Sequence, residues 1–292
     1  MVLLSSSRDV FLNLAYEQYL LRAGKEGVLF LYVNDPAVVV GRFQIPWAEC
    51  RPGRLEERGV VLARRDSGGG AVFHDGGNLN LAWVGRAGER GGLARFLVGV
   101  LEGMGVRVGV GERGDLWLED GRKVSGAAFR ITGGWKLEHH TLLVETDPVC
   151  VEEALRPVPG RFEGKGVGSR RARVGRIGEV AGCGLVGVRE RVAASWGGEV
   201  RWVGEEEMWM ACGEEVARLS SREWVLGKSP GFVWEWGGMR VRVEGGRVVE
   251  GVPGMEGEWF APERVMGAVG LEETEAGGVG FGRERRFERR DP

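Results

Sequence analysis

Short apolar runs separated by turn signals make up most of this chain, and helical periods are set among them. Residues 28–33 and 37–40 are dense in apolar residues and flank the turn signal Asn34-Asp35-Pro36, which predicts a hairpin buried on both faces. Strands that continue the sheet are predicted at residues 60–64, 71–74 and 79–84, and further strands at 106–110, 116–118, 127–132 and 140–145.

Apolar residues at helical spacing predict a first helix over residues 9–21, with Ser7 or Asp9 as its N-terminal cap. Further helices are predicted at residues 92–104, just after Asp147, at 185–196 and at 205–219. Strands in runs with helices set among them predict an α+β fold with a mixed or antiparallel sheet.

The texture of the chain changes near Trp224. Residues 232–236, 241–244 and 248–252 alternate like a small antiparallel meander, and a helix is predicted near 262–269. We therefore predict a main domain over residues 1–222, a small α+β accessory domain over 223–282 and a charged, disordered tail over 283–292.

Composition narrows the classes of function. The formal net charge of −2 over 292 residues argues against a nucleic-acid coat or a basic membrane patch. Four scattered cysteines (Cys50, Cys150, Cys183 and Cys212) show no paired metal spacing, which predicts a reducing compartment and no structural zinc. No apolar run approaches the roughly 20 residues that span a bilayer, and the N-terminus lacks the layout of a signal peptide, so secretion is not expected.

The richest chemistry is predicted at residues 64–75, which read Arg-Arg-Asp-Ser-Gly-Gly-Gly-Ala-Val-Phe-His-Asp. Consecutive glycines let a ligand touch the main chain, whose exposed N–H groups suit an anion. The apolar residues that follow favour a ligand with a charged head and a hydrocarbon tail. A flexible hairpin tip is the alternative, because glycine supplies 52 of the 292 residues. The stretch lacks the endings of a P-loop and of a dinucleotide fingerprint.

Other motifs accompany this stretch in a fixed order along the chain. They are Asn13-Leu14-Ala15, Gly41-Arg42-x-Gln44-x-Pro46-Trp47, Gly77-Asn78, Arg113-x-Asp115-Leu116, Lys123-Val124-Ser125-Gly126-x-Ala128, His139-x-Thr141-Leu142-Leu143, the loop from Lys165-Gly166-Val167 to Arg173, and Trp224-x-x-Gly227-x-x-Pro230-x-Phe232. Together the motifs resemble the lipoate–protein ligase A/lipoyltransferase family, over most of the chain.

The resemblance implies a biotin–lipoate ligase-like catalytic domain, followed by the family's accessory domain. It also implies a two-step reaction in which lipoate and ATP, with Mg²⁺, give lipoyl-AMP and pyrophosphate, and a protein lysine then takes the lipoyl group. The acceptors would be lipoyl domains of 2-oxoacid dehydrogenase E2 subunits and the glycine cleavage H protein. A monomer is expected, in the cytoplasm of a bacterium or in the mitochondrial matrix of a eukaryote.

The family pattern also assigns residues to the site. Lys123 is expected to bridge the carboxylate and the α-phosphate as an electrostatic stabiliser, and Arg65 to meet phosphate. Pro46-Trp47 is expected to place an aromatic near the glycines. The remaining ligand-binding residues would be Ser67, Gly69, Gly70, Ala71, Val72, Phe73, Arg113, Asp115 and Thr141. Whether His74 and His139 contact the ligand or only make structural hydrogen bonds stays open.

Three residues depart from the family pattern, which usually has Asn at Ile45, Gly at His140 and Asn at Arg176. Altered affinity for the adenylate is one expectation from these departures. The motifs also leave other activities open. The chain could be a transferase that uses preformed lipoyl-AMP or a lipoylated donor protein, or a non-catalytic binder of lipoyl-AMP or of a lipoyl domain. A related octanoyltransferase would need a cysteine thioester, and none of the four cysteines falls in a matched motif.

Overall fold

The computed structural model describes residues 1–88 and 92–268. The strands are β1 (Val2–Ser5), β2 (Leu29–Tyr32), β3 (Ala37–Val40), β4 (Val61–Arg64), β5 (Val72–His74), β6 (Asn78–Arg86), β7 (Val108–Val110), β8 (Leu116–Leu118), β9 (Lys123–Ser125), β10 (Ala127–Thr132), β11 (Trp135–Leu143), β12 (Arg161–Gly164), β13 (Val200–Val203), β14 (Phe232–Trp236), β15 (Met239–Glu244) and β16 (Arg247–Glu250). The helices are α1 (Val10–Arg22), α2 (Pro52–Glu57), α3 (Gly92–Glu102), α4 (Pro148–Ala154), α5 (Gly178–Ala181), α6 (Leu185–Trp196), α7 (Glu205–Ser220), α8 (Arg222–Val225) and α9 (Pro262–Ala268), and Pro46–Ala48 forms a 3-10 helix. The end of the predicted last helix, the rest of the predicted accessory domain and the predicted tail lie outside the described residues.

The main sheet has six strands in the order β10-β11-β6-β2-β1-β13. It is mixed, because β1 runs parallel to both β2 and β13 while the other pairs are antiparallel. A three-stranded sheet, β4-β3-β5, and a small antiparallel sheet, β7-β8-β9, lie beside it. The predicted α+β fold with a mixed or antiparallel sheet is confirmed.

The predicted hairpin of residues 28–33 and 37–40 is wrong. Strand β2 pairs with β1 and β6 in the main sheet, whereas β3 pairs with β4 and β5 in the three-stranded sheet. The prediction that β4, β5 and β6 all continue the main sheet is therefore wrong for β4 and β5, and only β6 belongs to that sheet. Both β2 and β3 are buried throughout, so their apolar pattern carries no information about which strand each one pairs with.

Helices cover both faces of the main sheet. Asp9, one of the two predicted caps, caps α1 by accepting hydrogen bonds from the N–H groups of Phe11 and Leu12. Helices α1 and α7 pack together on one face, and apolar residues of α3 and α6 pack on the other face. A third apolar cluster, which includes Leu55 and Val151, lies against the three-stranded sheet.

The C-terminal strands β14, β15 and β16 form the predicted antiparallel meander, and β12 from the preceding region joins it to complete a four-stranded sheet. The apolar cluster under α1 is continuous with the core of this sheet. Trp47 is buried there against Phe232 and Phe260, and the prediction that it lies near the glycines stays a prediction. The predicted boundary near Trp224 stays a prediction.

No helix in the part of the chain that the structure describes is long and apolar enough to cross a bilayer.

Candidate active site

Strand β9 presents Lys123 next to the main sheet. The N–H of Gly126 donates to Thr141 Oγ1 at 2.9 Å, and the N–H of Thr141 donates to the carbonyl of Gly126 at 3.0 Å. On its other side, Lys123 exchanges backbone hydrogen bonds with Arg173 and Gly175. The lysine backbone therefore lies between β8 and the loop at residues 165–175, and Gly126 connects the end of β9 to β11.

The side chain of Lys123 is half-buried, and its ammonium lies 3.3 Å from Asp115 Oδ2. Trp117 Nε1 donates to the same carboxylate oxygen at 2.8 Å, and the Trp117 ring centroid is 5.7 Å from the ammonium. These contacts hold a cation with a defined orientation at the edge of a cavity. Electrostatic stabilisation is most effective when the charge is positioned before the reaction begins.

The triple-glycine turn is organised by Arg65. Gly69 has φ 87°, a conformation that side-chain-bearing residues rarely adopt. Arg65 Nη2 donates to the carbonyls of Gly68 at 2.6 Å and Gly70 at 2.7 Å, and Nη1 donates to the carbonyl of Val39 at 3.0 Å. Burial lowers the pKa of Arg65 to about 10, so it is still a cation at neutral pH. The predicted phosphate contact of Arg65 stays a prediction, because these donors are directed at the turn itself.

A buried chain of hydrogen bonds runs behind the turn. Ser67 Oγ lies 2.7 Å from His139 Nε2, and His139 Nδ1 lies 3.1 Å from Glu17 Oε2. Tyr32 donates its hydroxyl to Glu17 Oε1 at 2.8 Å, and burial raises the pKa of Tyr32 well above its usual value. Both nitrogens of His139 are hydrogen-bonded to protein groups. Of the two roles that the sequence left open for His139, this favours structural hydrogen bonds over a ligand contact.

The loop at residues 165–175 closes over the turn through Ser169. Ser169 Oγ accepts hydrogen bonds from the N–H of Ala71 at 2.8 Å and from Gln44 Nε2 at 3.1 Å, while the N–H of Ser169 donates to Glu49 Oε1 at 3.1 Å. A Cβ added at Gly70 would lie 2.9 Å from Ser169 Oγ, so the absence of a side chain there permits this close approach.

One cavity of about 500 Å³ brings most of the predicted residues together. The predicted residues that line it are Arg65, Gly69, Gly70, Ala71, Val72, His74, Arg113, Asp115, Lys123, His139 and Thr141. Ser67 is buried behind the turn, and Phe73 faces away from this cavity into the third apolar cluster. Lys123 and the triple glycine thus border one space, as the sequence predicted, although their roles stay predictions.

A second cavity of about 720 Å³ adjoins the first. Both cavities are bordered by Val72, Lys123, Gly126 and Thr141, so they meet at the lysine. The second cavity has apolar walls and a basic rim. Its apolar lining includes Phe73, Leu143, Val151, Leu155 and Val174, and its rim includes Arg122, Arg170, Arg171 and Arg173.

Sequence reasoning missed several lining residues. Trp117, Asn80, Tyr32 and Ser169 all border the first cavity. Only Ser169 carried a signal, since it lies in a loop that the motifs had matched. The other three lie on β8, β6 and β2. Trp117 and Tyr32 are residue types that are common in any strand, and Asn80 is an isolated polar residue, so none of them indicated a site.

Of the three residues that depart from the family pattern, Ile45 and Arg176 do not line either cavity, and His140 borders the first one. Ile45 is buried in the main core, and Arg176 pairs with Glu179 at 2.6 Å. His140 borders the first cavity, but its ring is buried and bonds Ser125 and Glu138. Burial lowers the pKa of His140.

Comparison with known proteins agrees with this geometry. The model of the lipoyl protein ligase A/B catalytic domain matches residues 9–194. The P. falciparum protein LipL1, solved in complex with lipoate, shares the fold, with a TM-score of 0.70 and 21% identity over 85% of this chain and 82% of that chain. A bi-partite lipoate protein ligase of Thermoplasma acidophilum, analysed with its E2 lipoyl domain, has a TM-score of 0.65 and 25% identity over 77% of this chain and 94% of that chain. A lipoate-protein ligase A bound with ATP has a TM-score of 0.64 and 26% identity over 76% of this chain and 96% of that chain.

The resemblance inferred from the motifs is thereby confirmed. Since the family match covers 186 residues, from 9 to 194, out of 292, the chain belongs to the lipoyl protein ligase A/B catalytic domain family.

Proposed function

We propose that this protein is a lipoate–protein ligase that forms lipoyl-AMP from lipoate and ATP and then transfers the lipoyl group to a lysine of a lipoyl domain. In the first step a lipoate carboxylate oxygen attacks the α-phosphorus of ATP and pyrophosphate leaves. In the second step the acceptor amine attacks the acyl carbon, AMP leaves, and the amine loses a proton as the amide forms.

The observation that carries this proposal is the meeting of two cavities at Lys123. Lipoyl-AMP has an acyl arm and a nucleotide joined at one acyl-phosphate bond. A cation at the junction of the cavities would screen the carboxylate and the α-phosphate as they approach, and would then stabilise charge on the carbonyl oxygen. The Lys123 ammonium already pairs with Asp115 at 3.3 Å, so we assign it the role of a stabiliser and not of a nucleophile.

The first cavity would hold the acyl arm. Its buried part is bordered by Leu14, Tyr32 and Val39, while Arg113 and Glu112 border its exposed part. Burying the roughly five methylenes of the arm would contribute about 4 kcal/mol, at about 0.8 kcal/mol for each methylene.

The second cavity would hold the adenosine. Its apolar walls suit a base, and its basic rim suits phosphate oxygens. Strand β5 is at the edge of its sheet, so the backbone groups on its outer side have no strand partner among the described residues and could read the base edge. The relative solved with ATP supports a nucleotide as the second half of the ligand.

Magnesium would arrive with ATP. The described residues contain no group of three His, Cys, Asp or Glu side chains placed to hold a metal, so phosphate and water oxygens would supply most of its ligands. Asp115, whose Oδ2 lies 3.3 Å from the Lys123 ammonium, would contribute one oxygen. The acceptors we propose are lipoyl domains of 2-oxoacid dehydrogenase E2 subunits and the glycine cleavage H protein, and the relative analysed with an E2 lipoyl domain supports the first of these.

The test is the intact mass of an apo lipoyl domain after incubation with the protein. One reaction contains lipoate, ATP and Mg²⁺, and a second contains lipoyl-AMP alone. The proposal predicts a lipoyl mass increase in both. An increase in the second reaction but not in the first would show a transferase that does not activate lipoate. No increase in either reaction would show a non-catalytic binder.

Lys123→Ala is expected to lower the rate of transfer by about 10²–10³-fold, the usual cost of removing one positioned stabilising group. Lys25→Ala is the matched control, because Lys25 is an exposed lysine at the turn between α1 and β2, away from both cavities. Circular dichroism and thermal unfolding of each variant would separate a lost charge from a lost fold. Near-normal transfer by folded Lys123→Ala would refute the role of the lysine.

A further inference from the structure

The buried end of the first cavity contains a histidine whose tautomer is set by its neighbours. Asn13 Nδ2 donates to the carbonyl of Ser7 at 3.0 Å and to Asn34 Oδ1 at 2.8 Å. Because a carbonyl can only accept, this contact orients the Asn13 amide, and Asn13 in turn orients the Asn34 amide. Asn34 Nδ2 is then the donor to His74 Nδ1 at 2.9 Å.

His74 must therefore carry its proton on Nε2. Burial lowers the pKa of His74 to about 3, so the ring is neutral at pH 7 and has one N–H group. His74 Nε2 is buried and has no hydrogen-bond partner among the described residues. His74 also borders the first cavity, so this N–H is a donor left for whatever occupies the cavity.

Asn80 supplies a second donor of the same kind. It lies on β6 opposite Thr141, is buried, and borders the same cavity. Its Oδ1 accepts from Asn78 Nδ2 at 2.9 Å, which leaves Asn80 Nδ2 without a partner in the part of the chain that the structure describes. Buried polar groups in folded proteins are nearly all hydrogen-bonded, so two such donors in one cavity point to a ligand that satisfies them.

The other polar groups at this end are already engaged. Tyr32 donates to Glu17, both nitrogens of His139 are bonded, and Arg65 donates to the glycine turn. Among the described side chains that border this cavity, the buried polar atoms without a hydrogen-bond partner are therefore His74 Nε2 and Asn80 Nδ2, and both are donors. An occupant that matches them must carry acceptor atoms in the part of its arm that lies in the buried part of the cavity.

We propose, on the basis of the function proposed above, that His74 and Asn80 select acyl groups that carry ring sulfurs over plain alkyl chains of similar length. Lipoyl and octanoyl share the eight-carbon chain, but only lipoyl has sulfur atoms, which are weak acceptors, near its end. An octanoyl chain would cover both donors without offering any acceptor. A site that leaves its own buried polar groups unpaired discriminates against the ligand that causes this.

The wild-type protein gives the first test. Calorimetry is expected to show lipoate binding roughly fivefold to fiftyfold more tightly than octanoate, which corresponds to one or two weak hydrogen bonds gained against unpaired donors. The second-order rates of transfer from lipoyl-AMP and octanoyl-AMP to an apo lipoyl domain should differ in the same direction. Equal affinities and equal rates would overturn the inference while leaving the proposed ligase function in place, and transfer of neither acyl group would refute that function itself.

Variants assign the preference to the two residues. His74→Leu is expected to move the lipoyl-to-octanoyl ratio most of the way to one, and His74→Gln, which keeps a donor at a similar reach, to restore much of it. Val39→Ala is the control, because removing apolar surface from the cavity weakens both chains and should leave their ratio unchanged. An unchanged ratio in folded His74→Leu would overturn the role of His74.

Asn80→Leu keeps the proposal testable if His74→Leu does not fold. It removes the second donor on a different strand, and the same fall in the ratio is expected. A wild-type preference for lipoyl that survives in Asn80→Leu and in every folded His74 variant would refute the inference.

Discussion

Arg65→Lys separates two roles for the arginine next to the glycine turn. The family pattern predicts that Arg65 meets phosphate, whereas the structure directs its guanidinium at the turn. Lysine keeps the positive charge but replaces a planar fork of donors with a single nitrogen. If Arg65 organises the turn, the substitution should reduce stability as well as ligand affinity.

The size of the effect follows from the contacts. Arg65 donates to three backbone carbonyls, those of Val39, Gly68 and Gly70, and its Nε also lies 3.1 Å from Ser67 Oγ. One ammonium cannot reach both sides of this arrangement, so one or two buried carbonyls would lose their partner. At about 1–3 kcal/mol for each buried group left unsatisfied, the free energy of unfolding should fall by about 2–4 kcal/mol. For a chain of this size that corresponds to a fall in Tm of roughly 3–7 °C.

Urea unfolding followed by fluorescence measures the stability, and calorimetry with lipoyl-AMP measures the affinity. Arg113→Lys is the matched control, because Arg113 is an exposed arginine that borders the same cavity. The free energy of unfolding of this variant should differ from that of the wild type by less than about 0.5 kcal/mol. Arg65→Lys with normal stability and lost affinity for the adenylate would refute the reasoning and restore the phosphate contact.

Three further predictions concern the same region. Gly69→Val forces a β-branched residue to φ 87° and places a Cβ 3.0 Å from Arg65 Nη2. It should therefore lower the free energy of unfolding by about 1–3 kcal/mol and block the binding of lipoyl-AMP, measured by calorimetry. Unchanged affinity for lipoyl-AMP would show that the turn is not part of the site. Asp66→Asn removes the carboxylate that pairs with Arg42, Arg130 and Arg218 at 2.6–2.9 Å. Because all three arginines are partly exposed, urea unfolding should show a loss of about 2 kcal/mol, and a loss below about 0.5 kcal/mol would contradict this account. The pKa of His74 is about 3 in the fold and 6.5 as the ordinary value, so the unfolded state binds a proton that the folded state does not, and stability should fall by up to about 1.4 kcal/mol for each pH unit below 6.5. Urea unfolding at pH 7, 6 and 5 should show a shallower fall in His74→Gln than in the wild type, and equal slopes would show that His74 is not buried in its neutral form.

The sequence by itself determined the features that depend on neighbouring residues. Helices α1, α6 and α7 follow from apolar spacing and, in α1, from the Asp9 cap, because helical periodicity and capping are properties of a short stretch of chain. The order of the motifs was enough for the family, and through it for the expectation that Lys123 and the glycines share one cavity.

Tertiary structure alone decided which separated segments meet. The pairing of β2 with β6 instead of β3, the partners of Arg65, the closure by Ser169 and the proton on His74 Nε2 all depend on residues distant in sequence. A fully buried strand has no polar face to indicate its neighbours, and a side chain's donors reveal nothing about which acceptors will surround them. Such contacts are set by the packing of the whole chain, because only packing brings the groups within hydrogen-bonding distance.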